Sequence, residues 1–293
     1  MLKIYTQLRY IVFLFCCGLF WQGCNIINPK EQDPTYIHID SFNFVPNTAI
    51  TEPLTLSHKI TCVWVSYNGQ SIGVFDLPAT FPVVAKGTGV LNVSPGVVID
   101  GLNDLLGINP FYEPDTFTFA AQPGKIINHI ATTRYYSKVK VQKIADFETL
   151  QTNFRLDYGN IPMTTVSADS LVFEGHGSGS IYLTNPGVDS SIDSTQYNFT
   201  ITPGSAAFIE FDYKSTIPFY VGLQSNLGSN VSSSPYYLAG IFPSAGWQKF
   251  YLSVQDYAAQ FTGFSYNLYI KTSLPAGASS GRVLIDNVQL ITY

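Results

Sequence analysis

The chain has 293 residues, with 15 Lys and Arg against 20 Asp and Glu and a net charge of −5 at pH 7. Because 46% of the residues are hydrophobic and only 12% are charged, the composition excludes a disordered chain. The acidic balance argues against a nucleic-acid partner, and 19 Tyr and 21 Phe beside two Met favour β-sheet over helix.

The first 23 residues have the pattern of a secretory signal peptide. Lys3 and Arg9 form a basic start, residues 11–21 form an apolar run, and Gly23 precedes Cys24. This run suits a signal-peptide core and is shorter than the roughly 20 residues of a membrane-spanning helix. The pattern resembles the lipobox of bacterial lipoproteins. The resemblance implies a lipidated Cys24 that anchors the chain in the outer membrane; the alternative is an ordinary cleaved signal peptide.

Residues 24–34 carry two prolines and are polar, as expected for a tether between the lipid anchor and the first domain. Removal of residues 1–23 would take Lys3 and Arg9 and no acid, which leaves 13 basic and 20 acidic residues. Besides Cys24, only Cys62 would remain, so no intramolecular disulfide between structural cysteines is expected. Cys62 lies in a β-rich run and is interpreted as a small buried hydrophobe, with a reactive thiol as the alternative.

Residues 35–144 are predicted to form an all-β sandwich. The run "KITCVWVSY", then Asn68-Gly69, then "QSIGVF" predicts a hairpin, because Asn-Gly tolerates the positive φ values of a type I′ turn. The stretch "VWVSYNGQSIGVFDLPATFPVVAKGTGVLNVSPG" resembles PEGA-like and carboxypeptidase-regulatory-like modules of bacterial surface proteins. This resemblance implies an Ig/transthyretin-like fold with a spacer or interaction role and no catalytic residues.

Residues 145–293 are predicted to form a second β-sandwich. Four landmarks follow in order: Phe147-Glu148, "GSGSIYLT", "FIEFDYK" with "GWQKFYLSV", and "VLIDNVQL". Together they resemble the galactose-binding-like jelly rolls that include many carbohydrate-binding modules. The terminal run Arg282 to Tyr293 is expected to be the last strand, paired near the strand that Phe147 enters.

The same resemblance implies a structural calcium ion held by Glu148 and Asp286, with Asp146 as a nearby acid. A hard cation requires several oxygen ligands, which carboxylates on adjacent strands and backbone carbonyls can supply. The alternative is that these acids only accept hydrogen bonds. No other cofactor is expected.

Side-chain alternation predicts that four strands each present one tyrosine on an outward face: Tyr182, Tyr220, Tyr251 and Tyr269. Gln224 shares the outward side of its strand with Tyr220, and Tyr236 and Tyr237 form a second candidate rim. Glycan-binding surfaces use such residues because a sugar's C–H face stacks on an aromatic ring. The alternative is structural, since tyrosine favours strands and the face could pack on the first domain.

No catalytic residues are predicted. The four histidines are scattered without metal-ligand spacing, and "EGHGSGS" is interpreted as a turn before a strand. The sequence thus favours a non-enzymatic outer-membrane lipoprotein that binds glycan or another surface ligand through its jelly roll. The alternatives are a structural or assembly partner of an envelope complex, whose tyrosine face is a protein interface, and a glycoside-active enzyme.

Overall fold

The structure is a computed structural model, and it describes residues 32–52, 54–102, 105–149, 152–228 and 231–293. Cys24, the signal-peptide pattern and most of the predicted tether lie outside the described residues. Within the described ranges strands are the dominant secondary structure, beside one short α-helix and one 3-10 helix at Asp169–Leu171, and the predicted all-β class with two β-sandwiches is confirmed. A search of the described residues finds no helix with the length and hydropathy needed to cross a membrane.

The first sandwich contains ten strands: β1 (Thr35–Ile39), β2 (Phe42–Phe44), β3 (Cys62–Tyr67), β4 (Gln70–Asp76), β5 (Ala79–Val83), β6 (Thr88–Val98), β7 (Leu106–Ile108), β8 (Asp115–Ala120), β9 (Ile126–Asn128) and β10 (Ala131–Thr133). One sheet has the order β4-β3-β6-β7 with β8 beside β6, and it packs on the strands β5-β1-β9 and β10-β2. The core between them is apolar and includes Ile37, Val63, Phe81 and Leu91.

The predicted hairpin at Asn68-Gly69 is confirmed. Tyr67 pairs with Gln70, and the two turn residues have φ values of 48° and 80°. Asparagine and glycine are the residues that adopt this left-handed conformation at the lowest cost, so the turn is encoded locally. Cys62, on the first strand of this hairpin, is buried, and burial raises the pKa of its thiol to about 11.

The second sandwich contains twelve strands and one helix: β11 (Lys140–Ala145), β12 (Phe154–Gly159), β13 (Thr164–Val166), β14 (Ser178–Leu183), β15 (Ser190–Thr195), β16 (Ala207–Ser215), β17 (Phe219–Gly228), β18 (Val231–Ser232), β19 (Tyr236–Ile241), β20 (Ser244–Ser253), α1 (Gln255–Gln260), β21 (Ser265–Ser273) and β22 (Gly281–Thr292). The first of its two sheets, here called the covered sheet, has the order β13-β14-β22-β16-β20 with β11 beside β22. The second, the open sheet, has the order β12-β15-β21-β17-β18 with β19 beside β17. The two antiparallel sheets enclose one large apolar core, as a jelly-roll sandwich requires.

The last strand lies inside the covered sheet. β22 pairs with β16 on one side, and on the other its first half pairs with β14 and its second half with β11. Asn287 has a φ of 50° at a register shift, and this bulge lets both Ile285 and Val288 enter the core although they are three residues apart. The expectation that the terminal run is a paired strand is therefore confirmed.

The start of the second sandwich differs from the expectation. Phe147 and Glu148 do not lie on a strand; they follow β11, and Phe147 is buried with a φ of 57°. β11 crosses the predicted boundary at 144/145, and it pairs with β22 along both parts. The covered sheet thus begins at Lys140, while the domain boundary itself stays a prediction.

The first sandwich packs on the outer face of the covered sheet, around a buried set of charges. Lys249 Nζ lies 3.8 Å from both Glu210 Oε2 and Asp212 Oδ2, and these side chains have no more than 1% of their surface exposed. We call Lys249, Glu210 and Asp212 the buried ion cluster. Burial raises the pKa of both carboxyls, and the Lys249 ammonium opposes that rise.

Residues of the first region complete the surroundings of this cluster. The Tyr135 hydroxyl donates to Glu210 Oε2 at 2.6 Å, and the Ser57 hydroxyl donates to Asp212. The backbone N–H of Lys59 donates to the Tyr251 hydroxyl at 2.8 Å. Since these partners come from outside the second sandwich, the cluster is fully buried only when the first sandwich is in place.

Replacing Lys249 with methionine should destabilise the protein, because it leaves two buried carboxylates without a counter-charge. We expect the free energy of unfolding to fall by about 3–5 kcal/mol at pH 8, as for other broken buried ion pairs. The loss should be smaller at pH 5, because the raised pKa values allow the carboxyls to become neutral in the folded state.

Urea unfolding of the full chain at both pH values measures this effect. The matched control is Lys125→Met, which removes an exposed lysine of the first region and should change the unfolding free energy by less than about 0.5 kcal/mol. A loss below about 1 kcal/mol for Lys249→Met at pH 8 would contradict a structural role for the buried ion cluster.

Candidate functional site

The four tyrosines predicted to share a face lie on two different sheets. Tyr182 and Tyr251 belong to β14 and β20 of the covered sheet, whereas Tyr220 and Tyr269 belong to β17 and β21 of the open sheet. The prediction of a single four-tyrosine face is therefore wrong. Alternation along a strand separates inward from outward positions, but it does not say which of two sheets a strand joins.

Tyr251 is buried where the two sandwiches meet. Its side chain is outward-facing as predicted, but the first sandwich covers it, and only 2% of its surface is exposed. Its hydroxyl accepts hydrogen bonds from the Lys59 backbone and from the Tyr112 hydroxyl, the latter at 3.3 Å. A saccharide in solution cannot reach this ring, so Tyr251 is an interface residue.

Tyr182 is exposed, but it lies on the covered sheet, away from Tyr220 and Tyr269. The guanidinium carbon of Arg282 lies 4.2 Å from the centre of its ring, and Tyr182 pairs directly with Arg282 across the sheet. This stacking gives Tyr182 a cross-strand role in stabilising its own sheet.

The outer face of the open sheet carries a groove with a volume of about 500 Å³. Its lining contains three of the predicted residues and six others: Gln224, Tyr237, Tyr269, Arg155, Asp157, Tyr158, Ile192, Ser232 and Pro235. Tyr220 lies at its end, with its ring centre 6.3 Å from that of Tyr237. The structure thus brings together Tyr220, Gln224, Tyr237 and Tyr269.

The floor of the groove is held rigidly. The Tyr269 hydroxyl donates to Gln224 Oε1 at 2.8 Å, and Gln224 Nε2 donates to the carbonyl oxygen of Ser233 at 2.6 Å. Tyr269 is buried, and this burial, together with the nearby negative charge of Asp157, raises the pKa of its phenol to about 12. The floor therefore presents a fixed, neutral surface at physiological pH.

One wall of the groove depends on a glycine. A Cβ on Gly222 would lie 2.2 Å from the carbonyl oxygen of Tyr236, so only glycine allows β19 to lie this close to β17. The register between these strands shifts at the same point, between Val221 and Gly222. The close approach places Tyr237 beside the floor.

The opposite wall comes from β12, which sequence reasoning missed. Tyr158 is 72% exposed there, and a register shift between Leu156 and Tyr158 places Tyr158 opposite Ile192 and Arg155 opposite Ser194. Arg155 Nε donates to Asp157 Oδ1 at 3.0 Å and to Ser194 Oγ at 3.3 Å. The segment "FRLDYG" carried a signal in its alternation of apolar and polar residues, but nothing local indicated which strand it would join.

Tyr236 does not share the groove with Tyr237. Its ring packs against Tyr257 of α1 and against Phe261, at centroid distances of 5.8 and 5.5 Å. The expectation that Tyr236 and Tyr237 form one rim is therefore wrong. Adjacent residues of β19 point to opposite sides of the strand.

Glu148 and Asp286, the two predicted calcium ligands, each accept hydrogen bonds from groups of the protein. Both carboxylate oxygens of Glu148 accept the backbone N–H of His176, at 3.0 and 3.2 Å. Asp286 accepts bonds from the Ser178 hydroxyl at 2.7 Å and the Asn287 N–H at 2.8 Å, and burial raises its pKa to about 6. Among the described residues, no group of three or more His, Cys, Asp or Glu side chains could hold a metal ion. A calcium ion held by Glu148 and Asp286 stays a prediction.

The calcium prediction is tested by unfolding the protein with calcium and with chelator. Because Glu148 and Asp286 already accept hydrogen bonds, we expect the same thermal midpoint in both conditions. The control is the Glu148→Gln variant, whose thermal midpoint should also be the same with calcium and with chelator. A midpoint several degrees higher with calcium in the unaltered chain, and lost in the variant, would contradict this account.

Comparison with known proteins gives matches among solved structures alone. No family model matches the chain, and no curated protein does. A family 29 carbohydrate-binding module complexed with mannohexaose is 14% identical over 53% of this chain and 93% of that one, with a TM-score of 0.35. A carbohydrate-binding module of the β-sandwich superfamily is 12% identical over 78% of this chain and 83% of that one, with a TM-score of 0.38.

A third neighbour is an enzyme. The enzymatically active domain of tailspike protein 4 from bacteriophage CBA120 is 14% identical over 50% of this chain but only 20% of that one, with a TM-score of 0.38. All three identities lie below 25% and all three TM-scores below 0.5, so none of these likenesses decides the function of this chain.

Proposed function

We propose that this chain is a non-enzymatic glycan-binding protein whose saccharide lies in the groove of the open sheet. The observation that carries the proposal is the groove itself, with Tyr158 and Tyr237 as its walls and the bonded pair of Tyr269 and Gln224 as its floor. Aromatic walls stack on the C–H faces of sugar rings, while fixed polar groups bond to their hydroxyls.

The dimensions and setting of the groove support this function. Its volume of about 500 Å³ lies within the usual range of roughly 300–1,000 Å³ for small-ligand sites. The groove lies on the open sheet, whose outer face is not the one that packs against the first sandwich. Because hydrogen bonds already hold Tyr269 and Gln224 in place, these side chains lose little entropy when a ligand binds.

Alanine substitution of Tyr158 and of Tyr237 should each weaken saccharide binding by about tenfold, because each removes a stacking surface of about 1 kcal/mol or more. A glycan array with the full chain in detergent identifies the ligand, and calorimetry then measures the variants. Tyr182→Ala is the matched control, since Tyr182 is an exposed tyrosine on the other sheet. Unchanged affinity in both groove variants would place any binding elsewhere.

We also propose, as the N-terminal pattern predicts, that Cys24 is lipidated and that this lipid holds the protein at the outer membrane. Cys24→Ser should then abolish labelling of the protein by radioactive palmitate and release it from the membrane fraction. The unaltered chain in the same cells is the reference. Persistent labelling in the variant would rule out Cys24 as the lipidated residue.

The alternative of an envelope assembly partner is favoured by one observation. The first sandwich leaves the apolar side chains Val84, Ile126 and Ile130 exposed to solvent. Large apolar side chains exposed to solvent are found at protein interaction surfaces. A blank glycan array, together with a specific partner recovered from membranes and lost on Ile130→Ser, would favour this function over glycan binding.

A further inference from the structure

The neutral groups at the floor of the groove already use part of their hydrogen-bonding capacity. The Tyr269 hydroxyl donates its proton to Gln224, and one N–H of Gln224 is bonded to the Ser233 carbonyl. Asn226, further along β17, is bonded to Asn267, Ser265 and Ser232. One N–H of Gln224 remains at the floor, and further donors must come from the side chains around it.

Two cationic side chains supply such donors at the groove. Arg155 makes both of its hydrogen bonds through Nε, so its terminal Nη groups remain as donors. Lys271 lies on the outward face of β21, opposite Ile192 on one side and Tyr220 on the other. Its ammonium lies 5.3 Å from the centre of the Tyr237 ring.

The charge at the groove is opposite to that of the whole chain. Arg155 has Asp157 as its counter-charge, whereas no carboxylate of the described residues forms an ion pair with Lys271. The groove and its end thus carry two cations and one carboxylate, although the chain has a net charge of −5. A positive site in an acidic protein selects for anionic ligands.

We infer that the groove recognises an acidic saccharide, with Lys271 as the residue that selects for the acidic group. This inference rests on the proposed function and adds the class of ligand to it. A carboxylate or sulfate on the sugar accepts charge-assisted hydrogen bonds from Lys271 and from the Nη groups of Arg155, while the sugar ring stacks on Tyr158 or Tyr237. A neutral saccharide would keep the stacking and lose these bonds.

Two matched pairs of polysaccharides test this inference with the full chain in detergent. Polygalacturonate is compared with its methyl ester, and dextran sulfate with dextran, so that each pair differs in the charged group and shares a backbone. The variant is Lys271→Gln, which keeps length and polarity at an exposed position and should not affect folding. The control is Lys86→Gln, which removes an exposed lysine of the first sandwich.

We expect the unaltered chain to bind at least one acidic polymer about tenfold more tightly than its neutral partner, with a preference that weakens as salt is raised. Lys271→Gln should remove that preference and leave binding of the neutral polymer unchanged, and Lys86→Gln should behave like the unaltered chain. The polymer that responds shows whether a carboxylate or a sulfate is recognised.

Three results would overturn the inference. Equal affinity for the charged and neutral members of both pairs would be consistent with glycan binding but would show that the groove does not select for an acidic group. An acid preference that survives in Lys271→Gln would assign the selection to another group, such as Arg155, and one that is also lost in Lys86→Gln would assign it to the overall charge. Absence of binding to any saccharide on the array would overturn the proposed function together with this inference.

Discussion

The structure depends on a buried charge that neither sandwich can enclose alone. Lys249 faces Glu210 and Asp212 on the outer side of the covered sheet, without an ideal hydrogen bond to either carboxylate. Removing these charges from water costs free energy, which their mutual attraction and hydrogen bonds from neighbouring groups must offset. Ser57 and Tyr135 each donate one such hydrogen bond from outside the second sandwich, to Asp212 and Glu210, so the buried ion cluster links the two sandwiches.

Because the first sandwich packs on the covered sheet, the two sheets of the second sandwich differ in what they can contact. The covered sheet presents Tyr251 and Gln289 to the first sandwich and has no free surface there. The open sheet is left with its outer face toward solvent, and two local irregularities shape that face into a groove. Gly222 allows β19 to approach β17, and the register shift in β12 turns Tyr158 outward. Flat, regular strands would have produced a surface without walls.

Much of the fold could be predicted from the sequence because its signals are local. The Asn68-Gly69 turn needs only its own two residues, and the terminal strand is visible in its own composition. Bulges are harder to predict from the sequence. The bulge at Asn287 changes which residues of β22 point inward, and it depends on the pairing with the neighbouring strand. Phe147 and Glu148 were expected on a strand, but they follow β11 in a segment that long-range contacts bend.

The candidate site was predicted in part for the same reason. Gln224, Tyr237 and Tyr269 line the groove, and Tyr220 lies at its end. Alternation wrongly places Tyr182 and Tyr251 on the same face as the others, because it fixes the direction of a side chain within its strand and contains no information about which sheet the strand joins. Arg155 and Tyr158 join the site only through the pairing of β12 with β15, some 35 residues further along the chain.

Hydroxyl-radical footprinting of the native full chain tests the central claim most directly, because it reports which tyrosines solvent can reach. The account predicts rapid oxidation of Tyr158 and Tyr220 on the open sheet, and protection of Tyr112, Tyr135 and Tyr251 until the protein is unfolded. Oxidation of Tyr251 in the native chain at a rate similar to that of Tyr220 would show that the first sandwich does not cover this sheet, and would contradict the account.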